Sequence, residues 1–437
     1  MKKCYLIIVM LFSVFIINGQ NSKTINWINE NAIEIEDANP DSELNAFKND
    51  APRKFSNAKI FGFGEASHNT KEFFDIKAKF FKYLVRNQGV KTFIMEESYQ
   101  AESGINEWIS GGKGDIKTIA KHFNIGFWKT KEVVNLLQWM RDYNSDKSKE
   151  NQIRFYGMDI QSGKNINQEI RDFVKKHKIS VDEKLLMVAD NCSNKKKDYT
   201  KSTNWAKFNV PELEKLKQTI IKSQTDRNIN QIELKSIIRS LNYLKKYTQH
   251  ISSSLGFVER NEFRDLKMFE NIKWIVEKES KNGKAFIWAH NEHINKKEMY
   301  SNGSGIMNLG RYLKDYYSND YYSVGFDFGK GNIYGYARDK KQGAYWKNYY
   351  IEKPFRKTFA KTLIFINKDI YFVDMDNALA NEPTKFFSKK LKHLLIAAGG
   401  YQPKPLHKIL ISKIYNETYD GLIFVKKISA PEYNLDK

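Results

Sequence analysis

Short, uninterrupted apolar runs alternate along this chain with longer stretches in which apolar positions return every three to four residues. Lys59-Ile-Phe-Gly-Phe-Gly64 is a run of the first kind and predicts a buried strand. Phe73, Phe74, Ile76, Phe80, Phe81 and Leu84 follow at helical spacing, so Thr70–Asn87 predicts a helix, stopped by Gly89. The alternation repeats. A strand at Thr92–Met95 precedes a helix at Ser98–Ser110, which Gly111-Gly112 breaks. A helix at Lys131–Tyr143 carries Val133, Val134, Leu136, Leu137 and Met140, and a strand follows at Ile153–Tyr156. This order predicts an α/β fold with a mostly parallel central sheet flanked by helices. Residues 24–50 read as an opening helix and a loop.

From 163 to 280 the strand signals stop. Leu213, Leu216 and Ile220, then Leu234, Ile237, Ile238, Leu241 and Leu244, recur at helical spacing among charges, which predicts a long helical insertion or subdomain. Strands resume at Ala285–Trp288, Tyr321–Phe328 and Leu422–Val425, with weaker signals at Thr362–Ile366 and Ile370–Val373.

The N-terminus departs from this pattern. Lys2-Lys3 precedes an apolar run, Leu6–Ile17, that is short for a membrane span and ends at Asn18-Gly19-Gln20. Residues 1–20 are therefore expected to be a cleaved secretory signal. The expected mature protein is a periplasmic domain of residues 21–437, monomeric and with no membrane association. Of the two cysteines, Cys4 leaves with the signal, so Cys192 has no disulfide partner and the core must hold the fold. The formal charge of +21 changes little, because the lysines are spread along the chain without a compact basic tract. A nucleic-acid partner is not expected.

Chemistry gathers where the strands end. The first strand delivers Glu65 and His68, the second Glu96-Glu97, the third Asp159, and the fourth His290-Asn291-Glu292-His293. In a parallel sheet these groups meet on the carboxyl edge, where open α/β sheets bind ligands. A histidine can take a proton from water near neutral pH, and a carboxylate can orient it. Taken singly, a glutamate after a strand is usually a helix-start charge and a buried histidine a core residue. Four strand ends repeating the pattern favour a site. Glu-x-x-His and His-x-x-His also resemble metal-ligand spacings, although neither is HExxH; the His290/His293 pair would need the chain to turn helical there. Ser67 lies beside His68, but no GxSxG elbow surrounds it.

These strand ends, in this order, resemble the erythromycin esterase family. The resemblance rests on Gly64-Glu-Ala-Ser-His68 with Lys71-Glu-Phe-Phe74, and on Ile94-Met-Glu96. It continues through Trp108-Ile-Ser-Gly-Gly112, Leu137-Gln-Trp-Met-Arg141-Asp-Tyr-Asn144 and Phe155-Tyr-Gly-Met-Asp159-Ile-Gln161. Arg264-Asp265 with Met268 and Asn271, Ala289-His-Asn-Glu-His293, Met307-Asn-Leu-Gly310 and Tyr322-Ser-Val-Gly325-Phe complete it. It implies hydrolysis of a macrolide lactone by water, without cofactor or metal, on a small-molecule substrate. His68 would be the general base, Glu65 its orienting group, Glu96 a second active-site carboxylate, His290 the second histidine, and Arg264 the group facing oxyanion charge. Lys77, Asp159, Asn291, His293 and Trp128 are the candidate substrate contacts. Lys77 stands where the family can carry an arginine, and a lysine cannot form arginine's fork. Trp108 and Phe127 are further aromatic candidates. Two other readings follow from the residues: a hydrolase of another ester, with or without metal, and a non-catalytic surface-associated binder.

Overall fold

The computed structural model describes residues 22–195, 204–224, 228–252, 256–339, 343–396, 400–401 and 409–433. The expected signal segment lies outside them. Among the described residues no helix is long and apolar enough to cross a membrane.

Nine strands form the main sheet. In chain order they are β1 (Ile33–Glu34), β2 (Ile60–Phe63), β3 (Thr92–Ser98), β4 (Arg154–Asp159), β5 (Ala285–Trp288), β6 (Tyr321–Asp339), β7 (Gly343–Ile351), β8 (Ile370–Asp374) and, after a separate ladder of β9 (Leu391–Leu394) and β10 (Leu410–Lys413), β11 (Gly421–Ile428). The spatial order is β1-β8-β11-β6-β2-β5-β3-β4, with β7 paired to β6. From β11 to β4 every neighbouring pair is parallel, whereas β8, β1 and β7 add antiparallel margins. The carboxyl ends of β2, β3, β4 and β5 therefore share one edge.

Period-two alternation sorts the side chains. Phe61, Phe63, Phe93, Phe155, Phe286 and Trp288 face one side, where they meet α2 (Lys71–Gln88), α3 (Ala101–Ile109) and α4 (Lys131–Asn144). That core is aromatic: the Phe63 and Phe286 rings lie 4.9 Å apart, and those of Phe93 and Phe286 5.8 Å apart. Ile60, Ile94, Tyr156, Met158 and Ile287 face the other side, against α9 (Phe257–Lys278) and α11 (Leu309–Tyr317). Each buried Phe or Ile contributes about 1.5–3 kcal/mol. The opening helix, α1, occupies residues 22–31, and a second short helix, Asn45–Asp50, lies in what the pattern reads as loop.

The described residues between 163 and 280 are helical: α5 (Ile166–Lys176), α6 (Glu183–Asn194), α7 (Trp205–Lys222), α8 (Gln231–Ile251) and α9. The first four share a separate core with Tyr99 and Ile160. α9 instead lies on the sheet through Met268, Ile272 and Ile275. One strand expectation is wrong. Residues 362–366 are not extended; the segment holds the helix Ala360–Leu363 and turns beyond it. Phe359, Leu363 and Ile366 are all buried at helical spacing, and that period outweighs the β-branched residues between them.

β3 is not regular. Met95 pairs with Gly157 but Ser98 pairs with Asp159, so β3 carries one extra residue around Glu96-Glu97. Gly157 makes room for it, since a Cβ there would lie 2.5 Å from the Ser98 carbonyl oxygen and 2.7 Å from that of Glu97. Gly157→Ala must push this backbone aside, and a loss of about 1–3 kcal/mol in urea unfolding is expected.

Candidate active site

The site is assembled from the carboxyl ends of four strands, β2, β3, β4 and β5, and from α9. After β2 the chain turns through Glu65 and His68 into α2. Both side chains are buried, and His68 Nδ1 lies 2.5 Å from Glu65 Oε1. The carboxylate accepts the Nδ1 proton, which leaves Nε2 with its lone pair. Phe127 stacks on the imidazole at 5.1 Å, Trp128 meets it edge-on at 5.4 Å, and Trp128 Nε1 donates to the Glu96 carbonyl at 3.0 Å. The ring is therefore fixed by one hydrogen bond and two aromatic walls.

Lys77, one and a half turns into α2, reaches back under Glu65 and donates to its Oε2, with the Trp288 ring 3.9 Å from Nζ. Complete burial pushes the ammonium down to about 8, against the pull of Glu65. Lys77 is thus the counter-ion of the His68–Glu65 pair.

The second cluster centres on Arg264 of α9. Its Nε and Nη2 grip Asp159 at 2.9 and 2.6 Å, and Nη2 also reaches Glu96 Oε1 at 2.8 Å. His293 Nδ1 lies 3.0 Å from Asp265 Oδ2, and its Nε2 lies 3.2 Å from Glu96 Oε1. Burial disfavours charge on His293, yet Asp265 and Glu96 overcome it and lift the imidazole to about 10. As an imidazolium it donates Nε2–H to Glu96; Arg264 Nη1, 3.0 Å away, is a like-charged neighbour rather than a donor to it. Burial raises Glu96, but His293 and Arg264 hold it well below the ordinary carboxylate range. Asp159 is lowered in the same way by Arg264 against its burial.

A histidine raised in the fold contributes stability that is complete below its unfolded value, near 6.5, and is lost as pH rises through about 10. Lys77, depressed from 10.5 to about 8, acts with the opposite sign over part of that window. The comparison with His293→Gln isolates the histidine. The stability advantage of the native chain over this variant is expected to shrink between pH 7 and pH 10, measured by urea unfolding at each pH.

His290 behaves differently. Its Nδ1 accepts from the Glu292 amide at 3.2 Å, so Nε2 carries the proton and donates to the Ile396 carbonyl at 3.2 Å. Burial, with His68 beside it at 4.9 Å between ring centroids, drives its basicity well below the usual value. His290 is a neutral donor, and its backbone N–H also holds Glu96 Oε2 at 2.9 Å.

A cavity of about 200 Å³ opens onto these groups. Of the residues expected in the site, His68, Glu96, Arg264, His290, His293 and Trp128 line it. Glu65, Lys77 and Asp159 stand behind them, each fully buried. Asn291 does not face the cavity. Its amide donates to the Phe326 carbonyl at 2.7 Å and accepts the Phe326 N–H at 3.0 Å, tying the turn after β5 to β6. Trp108 is a core residue of α3, its Nε1 on the Gly114 carbonyl at 3.2 Å. Ser67 is buried and its Oγ accepts the Asn69 N–H at 3.1 Å, a turn contact. The chain does turn helical at α10 (Asn291–Ile294), but His290 and His293 engage separate partners. Among the described residues no group of three or more His, Cys, Asp or Glu is arranged to hold a metal ion.

Sequence reasoning gave no role to Asp265 and Glu292, though both stand in its motifs, and missed Tyr300 and Lys413. Asp265 fixes His293, and its Oδ2 also accepts the Leu309 N–H at 2.8 Å. The clue was its place beside Arg264. Glu292 lines the cavity between the two histidines of α10, and Lys413, fully buried, donates to it at 3.0 Å from a strand 121 positions away. No local signal marks Lys413.

The erythromycin esterase family profile matches residues 85–428. Erythromycin esterase type II of Escherichia coli is 26% identical over 392 residues, which cover 82% of this chain and 90% of that protein. A Bacillus cereus protein of solved structure superposes with a TM-score of 0.80 at 22% identity, covering 95% of this chain and 99% of that one. A variant of the erythromycin esterase EreC in its open conformation superposes at 0.64 and 14% identity, covering 93% and 99%. These likenesses to solved structures show the fold, and the family match supports a hydrolase of the esterase type. The chain belongs to the erythromycin esterase family.

Proposed function

We propose that this protein is an exported esterase that opens the lactone ring of erythromycin-type macrolides with a histidine-activated water, and so confers resistance to them. The observation that carries the reading is the His68–Glu65–Lys77 relay at the cavity wall: the carboxylate holds Nδ1–H, and the free Nε2 belongs to a ring that lines the cavity. Nε2 takes a proton from water as its oxygen attacks the lactone carbonyl carbon. The tetrahedral oxyanion is stabilised by the positive cluster of Arg264 and His293 at the cavity wall. Collapse breaks the ring C–O bond, and the alkoxide leaves with the proton from His68. The product is the ring-opened hydroxy acid, one water heavier.

The cavity takes the ester end of such a substrate; a macrocycle is larger than about 200 Å³ and must extend over the rim. Export is supported by the Lys2-Lys3 and Leu6–Ile17 pattern, and a periplasmic monomer would meet the drug before it reaches the ribosome. Purified protein lacking residues 1–20 is expected to hydrolyse erythromycin at an unchanged rate after exhaustive chelation. A rate abolished by chelator and restored by zinc or manganese would contradict the mechanism.

A further inference from the structure

One corner of the cavity has no part in this chemistry. Glu292 is 4% exposed and lines the cavity. Its Oε2 is occupied, accepting the backbone N–H of Tyr300 and the ammonium of Lys413 at 3.0 Å. Its Oε1 is buried and has no hydrogen-bond partner among the described residues. An unpaired buried acceptor is costly, and a ligand donor would satisfy it. Tyr300, which also lines the cavity, sits at φ 62°, a left-handed conformation that is an outlier for so bulky a residue. Strain of this kind persists where the surroundings impose it, and here Glu292 holds the amide. The Phe257 ring stacks on Tyr300 at 5.9 Å with 23° between planes, and Phe257 is 64% exposed.

We infer that Glu292, Tyr300 and Phe257 form a subsite for a hydroxyl-bearing saturated ring, a sugar substituent of the substrate. The chemistry selects that class in three ways. A carboxylate accepts and does not donate, so it requires a donor. Lys413 already balances its charge, so the required donor is a neutral hydroxyl rather than a second cation. The stacked aromatic pair, with Tyr300 at the cavity wall and Phe257 outside it, gives a flat apolar face for ring C–H groups. The inference rests on the macrolide reading, because the sugar must be attached to a ring whose ester reaches His68.

The test separates the two. Binding is measured by calorimetry on His68→Ala, which removes turnover, using erythromycin and its own sugar-free aglycone. With Glu292 intact, the aglycone is expected to bind roughly 10- to 100-fold more weakly, the range for a hydrogen bond to a charged group. Adding Glu292→Gln keeps the amide oxygen on the two donors, the Lys413 ammonium and the Tyr300 N–H, and turns the NH2 into the cavity, so the acceptor there becomes a donor. Erythromycin should then bind as weakly as the aglycone does, and aglycone binding should not change. Phe257→Ala, at an exposed position where folding is not at stake, should weaken erythromycin and spare the aglycone. Equal affinity of the two ligands with Glu292 intact overturns the subsite, as does equal weakening of both by Glu292→Gln, or failure of both to bind. If the native chain fails to hydrolyse erythromycin while this binding pattern holds, the esterase reading falls and the subsite stands.

Discussion

His68→Ala is expected to lower kcat for lactone hydrolysis by roughly 10²–10⁴-fold, the usual cost of losing a general base. The protein should stay folded. The histidine contributes a hydrogen bond to Glu65 and contacts with Phe127 and Trp128, none of which closes a main-chain ladder. Glu65→Gln should reduce kcat less, because Gln can still accept the Nδ1 proton and keep the tautomer. Circular dichroism and urea unfolding of both variants, beside their kinetics, check the claim. A His68→Ala chain that has lost its cooperative transition would mean that the imidazole is a packing element.

The second large effect concerns Arg264. Arg264→Ala strands Asp159 and leaves Glu96 with His293 as its remaining strong cationic neighbour, both carboxylates being 4% exposed or less. Leaving buried charge uncompensated costs about 3–5 kcal/mol. The sign of its pH dependence follows from the depressed carboxylates: their stabilisation is present above their unfolded values, 4.5 for Glu96 and 3.8 for Asp159, and is lost as pH falls. The stability gap between native chain and variant should therefore be widest near neutrality and narrow on acidification. Arg264→Lys should recover little, since one ammonium cannot reproduce the fork on Asp159 together with the contact to Glu96. Activity should fall with either change. Unfolding titrations at pH 7 and pH 3 decide the stability claim.

Much of this architecture was legible because two periods are written plainly into the chain. The strands β2, β3, β4 and β5 are short apolar runs, and parallel pairing brings their ends together, so Glu65, His68, Glu96, Asp159 and His290 could be gathered before any coordinates. What was not legible depends on long-range partners. Lys77 reads as a candidate substrate contact until the fold puts it beneath Glu65, with the Trp288 ring against its Nζ. Asn291 sits in the motif like a ligand group, but its amide is fully engaged by the β6 backbone at Phe326. Glu292 stands in the strand-end cluster without an assigned role; that role depends on Lys413, which no local pattern ties to it. The failure at 362–366 has another cause. β-branched composition argued for a strand, and only the burial of Phe359, Leu363 and Ile366 together reveals the helical face.

The most direct measurement is mass spectrometry of erythromycin incubated in heavy-oxygen water with the native chain and with His68→Ala. The account predicts that the native product gains one water carrying one heavy oxygen in the new carboxylate, with or without chelator, and that the variant leaves the drug intact over the same time. Unchanged erythromycin with the native chain, or equal hydrolysis by His68→Ala, would contradict it.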